Sequence, residues 1–429
     1  MKNVITAIKG TRDFYPENMA IRTWLYEKIK IISQRYGYQE YEGPFLEPIE
    51  LYAAKSGEEL VKEQSFVFPD RSGELITLRP ELTPTLARMV AQKQKQLVFP
   101  LRWWSFGPFW RYEKPQKGRS REFFQWNIDL IGINTPEADA ELLSVIVSFF
   151  QSVGLSANQV KIFVNDRKLM EEQLDQLSIA PEMRPTVFRL IDRKEKMEFR
   201  QWEAYAHEEG LTSQQINGIV SLLQNIDLWK NSPNLIRLFQ TLDTVGVGDF
   251  IEFDPNIIRG LDYYTSTVFE AKDIGGTVKR SILGGGRYDN LLAAVGGEPL
   301  PAVGFAMGDV VISLILQEYD CIPANIFAHP AQVLITTFSS ETFPHSLKLA
   351  SELRQKGINV ITYPEIVPLN KQLKFADRMN IPFAIILGPD EIATNTIAVK
   401  SLTSGEQTTF VLSQLEENLI PLLASPPES

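Results

Sequence analysis

Apolar and polar residues follow two different periods along the chain, and these periods predict where helices and strands lie. Residues 21–36 carry apolar side chains at helical spacing, and Gly37 predicts the end of that helix. Residues 101–110 and 123–131 are aromatic, β-prone runs on either side of a charged segment that contains Pro and Gly. This pattern predicts two antiparallel strands joined by a long loop. Loops of this length in compact domains are usually functional or disordered, so the hairpin is the first candidate for a site.

The remaining chain divides into regions of different pattern. Residues 136–153 predict a helix with acidic residues in its first turns. Residues from about 167 to 244 are mostly polar and predict a module of short amphipathic helices, in which no residue suggests chemistry. From residue 330 onward, short apolar runs alternate with helical patterns. We therefore predict a separate C-terminal unit with a mainly parallel sheet.

The composition is that of an ordinary globular protein. The chain has 429 residues, 44% of them hydrophobic and 22% charged, and this length predicts two to four domains. No apolar run approaches the roughly 20 residues of a membrane helix, and we expect neither a membrane span nor a cleaved leader. The net charge of −10 has the wrong sign for an unspecialised nucleic-acid binder, although local patches decide such binding.

Cysteine and histidine are scarce. Cys321 is the single cysteine, which excludes an intramolecular disulfide and fits a reducing compartment. With only three histidines in addition, the sequence argues against a His/Cys metal site. We therefore predict no metal held by the protein's own side chains.

The loop of the predicted hairpin concentrates charge. Its charged residues are Arg111, Glu113, Lys114, Lys117, Arg119, Arg121 and Glu122. A guanidinium on a rigid strand end matches the geometry of phosphate oxygens, so a phosphate site is one interpretation. A solvated hairpin with surface ion pairs is the alternative that charge alone leaves open.

The longer pattern around this loop decides between the two interpretations. Residues 111–123 contain Arg-x-Glu-x-Pro-Gln-x-Gly-Arg-x-Arg-Glu-Phe, which resembles motif 2 of the class II aminoacyl-tRNA synthetases in its histidyl-tRNA synthetase form. Residues 259–265, Arg-Gly-Leu-Asp-Tyr-Tyr-Thr, are similar to a signature of the histidyl enzymes. The helix before Gly37 with residues 38–48 resembles motif 1, and residues 301–308 resemble motif 3. The resemblance covers about residues 4–424.

This resemblance implies a fold class and a domain order. The fold is expected to be α/β (α+β), with the antiparallel-sheet catalytic domain of class II synthetases, a helical insertion and a C-terminal α/β anticodon-binding domain. The implied boundaries are 1–166 and 247–322 for the two parts of the catalytic domain, 167–246 for the insertion and 330–424 for the anticodon-binding domain. The implied enzyme is a cytoplasmic, homodimeric histidine–tRNA ligase. Its implied partners are L-histidine, ATP with Mg²⁺ on the phosphates, and tRNA(His).

The resemblance also implies roles for individual residues. The implied histidine pocket consists of Glu81, Thr83, Arg111, Gln125, Asp129, Arg259, Tyr263 and Tyr264. The implied ATP site consists of Arg111, Glu113, Arg119, Phe123, Gly285, Gly286 and Arg287. Arg259 and Arg111 are the predicted catalytic residues, because they would place positive charge at the α-phosphate. Gln116 is the predicted contact with the tRNA acceptor end.

Taken singly, several of these residues have structural interpretations. Thr83 is placed to cap the helix that follows it, and the pair Tyr263 and Tyr264 fits strand packing. A run of glycines such as 284–286 fits a close approach between strands as well as a ligand. The motifs as wholes favour the binding roles.

One position departs from the family pattern. In the resembled family, motif 3 continues with an Arg that contacts the terminal phosphates of ATP, but Val311 stands at that place here. A branched apolar side chain cannot replace a bidentate phosphate contact. We hypothesise that Arg287, or Arg280 just upstream, offsets part of the missing charge. The alternative function is a non-catalytic relative, such as the ATP-phosphoribosyltransferase regulatory subunit, which has this fold without aminoacylation.

Overall fold

The structure is a computed structural model, and it describes residues 4–53, 64–194, 197–258 and 263–424. The chain folds as two compact units, the first ending at Pro323 and the second beginning at Ala324. Within the described residues, no helix is both long enough and apolar enough to cross a membrane. The predicted four-part division stays a prediction.

The first unit is built on strands that come from all along residues 39–308. The strands are β1 (Gln39–Glu40), β2 (Leu46–Pro48), β3 (Phe66–Pro69), β4 (Leu75–Leu78), β5 (Leu101–Trp110), β6 (Glu122–Ile131), β7 (Val160–Asp166), β8 (Ile251–Phe253), β9 (Thr267–Asp273), β10 (Leu283–Arg287) and β11 (Ala302–Gly308). The helices are α1 (Pro16–Arg35), α2 (Glu50–Ala53), α3 (Thr83–Lys93), α4 (Pro136–Ser152), α5 (Arg167–Gln176), α6 (Arg184–Lys194), α7 (Phe199–Glu208), α8 (Ser213–Leu223), α9 (Pro233–Thr244), α10 (Leu291–Ala294) and α11 (Asp309–Glu318).

The main sheet of this unit is mostly antiparallel. Its described strands have the order β1-β5-β6-β11-β10-β9-β7-β8, and only the outer pairs β1·β5 and β7·β8 are parallel. The predicted hairpin is confirmed, because β5 and β6 pair antiparallel over their whole length. Strands β2, β4 and β3 form a smaller antiparallel sheet.

The core lies between this sheet and the long helices α1 and α4. Trp104 and Trp126, on β5 and β6, are fully buried, and the Trp126 ring meets Phe305 edge to face with a 4.9 Å centroid separation. Alternation along β6 places Trp126, Ile128 and Leu130 in the core and leaves the intervening side chains for the opposite face. That opposite face carries the site described below.

Helices α5 to α9 lie together between β7 and β8. Each buries an apolar stripe, and Trp202 of α7 is fully enclosed and donates its indole N–H to the carbonyl oxygen of Leu190. The first turns are capped by side chains, for example Thr212 and Gln215, which form a reciprocal capping box at α8. The region predicted to be helical is therefore helical, with a hydrophobic stripe on each helix.

The second unit contains a five-stranded sheet flanked by helices. Its strands are β12 (Val333–Ile335), β13 (Val360–Thr362), β14 (Phe383–Ile386), β15 (Thr396–Ser401) and β16 (Gln407–Val411), in the order β13-β12-β14-β15-β16. Its helices are α12 (Phe343–Gln355), α13 (Leu369–Arg378), α14 (Pro389–Thr394) and α15 (Leu415–Ala424).

Two expectations for this unit were wrong. The sheet is mixed, because β14·β15 and β15·β16 are antiparallel. The nine residues between β14 and β15 hold only the short α14, and a parallel crossover needs a dozen or more. In addition, the sequence predicts Ser413 as the cap of a final helix to Leu423, but Ser413 lies inside a 3₁₀ turn at Leu412–Gln414.

Candidate active site

A cavity of about 130 Å³ lies beside the middle of β6 and β11 and reaches β10. Its lining residues are Glu81, Thr83, Arg111, Gln125, Asn127, Asp129, Tyr263, Tyr264, Gly284, Tyr288, Gly304, Phe305 and Ala306. Residues far apart in the sequence therefore converge on one space, and this set includes every described member of the predicted histidine pocket. The polar members on β6, Gln125, Asn127 and Asp129, alternate along the strand and share one face.

Asp129 forms the most enclosed part of this cavity. Its Oδ1 accepts a 2.5 Å hydrogen bond from the hydroxyl of Tyr288, and burial raises the pKa of the Asp129 carboxyl to about 7, against the lowering effect of that bond. Gly304 lies directly beside it, and a Cβ at residue 304 would come within 2.0 Å of Oδ1. The carboxylate therefore fits only because residue 304 has no side chain.

Glu81 supplies a second carboxyl group to the same cavity. It is buried, and its Oε2 accepts a 3.3 Å hydrogen bond from the hydroxyl of Tyr263. Thr83 follows at the first residue of α3, whose N-cap is Leu82 and makes no side-chain capping bond. The hydroxyl of Thr83 is therefore not an N-cap, and it is available to the cavity.

A buried arginine holds the segment that carries Glu81. Arg79 is fully enclosed between the rings of Phe45 and Phe109, at 4.6 and 4.5 Å from their centroids. Its guanidinium donates to Glu42 Oε1 at 2.5 Å and to the carbonyl oxygens of Gly43 and Pro108. These bonds join the segment between β1 and β2 to β5, so they fix the chain two residues before Glu81.

A second cavity of about 140 Å³ lies at the loop end of the β5–β6 hairpin. Its lining residues are Arg111, Glu113, Gly118, Arg119, Ser120, Phe123, Gly308, Val310 and Val311. Glu113 and Arg119 form a 2.6 Å ion pair across the loop. Phe123 is stacked on Phe109 with 5.9 Å between centroids, which fixes its ring at the cavity wall.

Arg111 lines both cavities. It follows the last residue of β5, its backbone N–H donates to the carbonyl oxygen of Arg121, and its Nε donates to that of Pro80 at 3.0 Å. The guanidinium also lies 5.4 Å from the centroid of the Phe123 ring. A single cation thus borders the space beside Glu81 and Asp129 and the space beside Glu113 and Phe123.

The structure does not bring three predicted ATP-site residues to the second cavity. Gly285 and Gly286 lie in the middle of the sheet, where an added Cβ would meet the carbonyl oxygen of Gly304 at 2.3 Å and that of Thr267 at 2.7 Å. Their lack of side chains serves close strand packing. Arg287 is buried and forms an ion pair with Asp139, and its Nη1 donates to the carbonyl oxygen of Ile133 at 2.8 Å.

Two other predicted residues stay predictions. Arg259 lies outside the described residues. Gln116 is exposed in the hairpin loop, where its backbone exchanges hydrogen bonds of 3.0 and 2.8 Å with Arg119. It is not among the lining residues of either cavity, and its contact with tRNA stays a prediction.

Comparison with known proteins agrees with this geometry. The family model for histidyl-tRNA synthetase matches residues 10–309, and the anticodon binding domain model matches residues 332–421. The histidine–tRNA ligase of Leptospira biflexa is 36% identical over 95% of both chains. The chloroplastic/mitochondrial histidine–tRNA ligase of Arabidopsis thaliana is 38% identical over 95% of this chain and 85% of its own. The crystal structure of histidyl-tRNA synthetase from Nostoc sp. PCC 7120 superposes with a TM-score of 0.80 at 26% identity, covering 98% of this chain and 100% of that one.

The chain belongs to the histidyl-tRNA synthetase family. The predicted family, its class II fold with a C-terminal anticodon-binding domain, and the predicted enzyme class of aminoacyl-tRNA ligase are confirmed. The non-catalytic alternative is not better supported.

The start of α11 carries the departure from the motif 3 pattern. Asp309 is buried, its Oδ1 accepts a 2.9 Å bond from the Phe124 N–H and its Oδ2 pairs with Arg12 at 2.8 Å. Burial raises the pKa of the Asp309 carboxyl, while Arg12 lowers it. Val311, two residues further along α11, presents an apolar wall to the second cavity. The residue after Gly308 therefore serves to anchor the N-terminal segment.

Two polar lining residues of the first cavity were not predicted from the sequence. Asn127 lies midway between Gln125 and Asp129, and the two-residue period of β6 was the signal that would have found it. Tyr288 follows the Gly-rich run, and its contact with Asp129 spans 159 positions of sequence. No local pattern indicates such a contact.

Proposed function

We propose that this chain joins L-histidine to tRNA(His) in two steps, with Arg111 where the two reacting substrates meet. The observation that carries the proposal is that Arg111 lines both cavities. Histidine would occupy the cavity beside Glu81 and Asp129, and ATP the cavity beside Glu113 and Phe123. Both reacting groups, a carboxylate and a phosphate, are anions. One guanidinium between them can form charge-assisted hydrogen bonds to both.

The first cavity matches the polar ends of histidine. The Glu81 carboxylate would bind the ammonium group, with Thr83 and Gln125 beside it. Asp129, oriented by Tyr288, would accept the imidazole N–H, with Tyr263 and Tyr264 as further walls. A pocket with buried polar groups discriminates strongly against side chains that leave those groups unpaired.

The second cavity offers the contacts that a nucleotide needs. Phe123 provides an aromatic face for the adenine, and stacking of a base on such a ring is favourable for any base. Glu113 and Arg119 would hold ATP from the loop. The predicted roles of Gly285, Gly286 and Arg287 become indirect, since these residues shape the sheet beside the site.

The chemistry requires charge and position more than proton transfer. The histidine carboxylate is ionised at pH 7, so its oxygen attacks the α-phosphorus without a general base and pyrophosphate leaves. Arg111, together with Arg259 as predicted from sequence, would stabilise the negative charge of the transition state. A hydroxyl of the tRNA 3′ end then attacks the histidyl carbonyl carbon, and AMP leaves. Gln116 stays the predicted contact with the acceptor end.

Mg²⁺ would bind together with the ATP phosphates. The described residues include no group of three or more His, Cys, Asp or Glu side chains that would hold a metal ion alone. One carboxylate, Glu113, lines the second cavity, and Mg²⁺ in nucleotide sites commonly uses one or two carboxylates with phosphate oxygens and water. Glu113 is therefore the residue that would contact the ion, which supplies positive charge to the phosphates.

We further propose that the enzyme is a homodimer that uses the small sheet as its contact surface. This surface is the face of the small sheet that carries the exposed apolar side chains of Leu46 and Phe68, with Phe66, Ile76 and Leu78 on the same face. Clustered apolar residues on the outside of a folded unit commonly mark a protein interface. The cytoplasmic location stays a prediction from the sequence.

Histidine-dependent ATP–pyrophosphate exchange tests the activation step. The purified protein should exchange label in the presence of histidine and not with any other amino acid, and Arg111→Ala should lose the activity while it remains folded. Absence of exchange by folded wild-type protein that still binds histidine would favour the regulatory alternative.

A further inference from the structure

The second cavity has fewer available cations than a triphosphate requires. Arg119 is paired with Glu113, and Arg12, on the far side of Asp309, is paired with that carboxylate. Val310 and Val311 make the wall near α11 apolar. ATP brings several negative charges into a confined space, and such charge needs positive partners at short range. Among the described lining residues, Arg111 is the one cation without a carboxylate partner.

Arg280 lies next to this apolar wall. A Cβ placed on Gly118 would come within 2.8 Å of Arg280 Cδ, 3.4 Å of Arg280 Nε and 3.7 Å of Val311 Cγ2. Gly118 has a φ of +78° and lines the second cavity. The arginine therefore crosses the hairpin loop at a glycine, beside Val311, where any side chain on residue 118 would obstruct it.

The Arg280 guanidinium has no side-chain partner among the described residues. It is half-buried, and across the ranges that the structure describes it has no hydrogen bond or ion pair with another side chain. Arg287 differs in both respects, because it is enclosed and bound to Asp139 and to two backbone carbonyl oxygens. Of the two arginines that the sequence offered, only Arg280 is placed to reach a ligand in this cavity.

We propose that Arg280 contacts the terminal phosphates of ATP and replaces the cation that Val311 does not provide. This inference rests on the proposed assignment of the second cavity to ATP. Arg280 would form charge-assisted bonds to the β- or γ-phosphate, and the loop glycine Gly118 would admit its side chain. AMP lacks those phosphates and would not use Arg280.

Nucleotide titration with and without the terminal phosphates tests the proposal. The full-length protein is titrated by calorimetry with ATP and with AMP, both with Mg²⁺. Arg280→Ala should weaken ATP binding by about 10- to 100-fold, as expected for loss of hydrogen bonds between charged groups, and leave AMP binding unchanged. Lys279→Ala is the matched control, because it removes one positive charge from the adjacent exposed residue and should change neither affinity.

A second variant tests whether the loss of ATP affinity in Arg280→Ala comes from the missing positive charge. In Arg280→Ala/Val311→Arg, the new guanidinium enters the cavity from α11, and ATP affinity should recover toward that of the wild type. Unchanged ATP affinity in folded Arg280→Ala, or equal loss of ATP and AMP affinity, would overturn the proposal. Equal affinity of the wild type for ATP and AMP would overturn it as well.

This experiment separates the inference from the proposed function. Nucleotide titration needs no histidine activation, whereas pyrophosphate exchange does. If the ATP preference depends on Arg280 but no exchange occurs with histidine, the phosphate contact stands and the ligase activity fails. If exchange occurs and the KM for ATP is the same in Arg280→Ala and wild type, the ligase activity stands and the phosphate contact fails.

Discussion

Asp129 carries a proton at pH values where most carboxyl groups do not, because burial raises its pKa from 3.8 to about 7. As the pH rises through that interval, the unfolded chain releases this proton before the folded chain does. The free energy of unfolding therefore loses a contribution between about pH 4 and pH 7. We predict that Asp129→Asn removes this loss, so its stability relative to the wild type is greater at pH 8 than at pH 5.

Urea unfolding at the two pH values measures this difference. Asp70→Asn is the control, since hydrogen bonds from Ser72 lower the pKa of the exposed Asp70 carboxyl and keep it ionised throughout the interval. That control should show the same difference from the wild type at both pH values. A pH-independent difference for Asp129→Asn would show that the Asp129 carboxyl has an ordinary pKa.

The sequence identified most of the residues around the first cavity, for a physical reason. Gln125 and Asp129 lie in one contiguous motif, so their positions relative to each other depend on the local strand alone. Tyr288 reaches Asp129 only because β6, β11 and β10 pair in that order. A contact that depends on the order of strands in a sheet cannot be derived from any local pattern. For the same reason, the sequence did not show that Arg287 pairs with Asp139 instead of facing the second cavity.

At the scale of elements, the buried pair Arg287–Asp139 joins β10 to α4. Asp139 also accepts a 2.7 Å bond from Thr267, so all three elements that meet there depend on it. Removing one partner leaves a buried charge without its counter-ion, at a cost of about 3–5 kcal/mol. We predict that Arg287→Ala destabilises the protein by about this amount and leaves ATP affinity unchanged in the fraction that is folded.

Chemical denaturation and calorimetric ATP titration measure the two quantities. Arg287→Met/Asp139→Leu is the informative companion variant, because replacing both members of a buried ion pair by apolar residues is often neutral or stabilising. Loss of ATP affinity without loss of stability would restore Arg287 as a nucleotide ligand.

Strand and helix bounds were predictable where apolar periodicity is strong. The observed β5 and β6 match the predicted runs to within one residue, and α8 matches its predicted pattern. The direction of β15 was not predictable in the same way. It depends on the length of the connection from β14, and a six-residue helix in that connection is too short to return the chain.

At the scale of the whole molecule, the contact surface of the small sheet gives a prediction about assembly. Phe68 is 41% exposed on β3, beside Val67 and opposite Ile76. We predict that Phe68→Glu shifts the enzyme from dimer to monomer, because a charge at the centre of an apolar interface is left without hydration or partner. Sedimentation velocity measures the shift.

Val98→Glu is the control for this variant. Val98 is 86% exposed and lies after α3, away from the small sheet, so this change should leave the sedimentation coefficient unaltered. A wild-type protein that sediments as a monomer, or a Phe68→Glu variant that stays dimeric, would contradict the proposed contact surface.

The glycine beside Asp129 has a consequence for attempts to change which amino acid the enzyme accepts. Because a Cβ at residue 304 would overlap Oδ1 of Asp129, the two positions form one steric unit. A directed-evolution library that randomises residue 304 alone would contain mostly inactive members. A library that keeps Gly304 and varies Asp129 with Tyr288 would change the polarity of the pocket floor without the steric overlap that a side chain at residue 304 causes. Reprogramming of the pocket for a non-natural amino acid therefore starts from that pair.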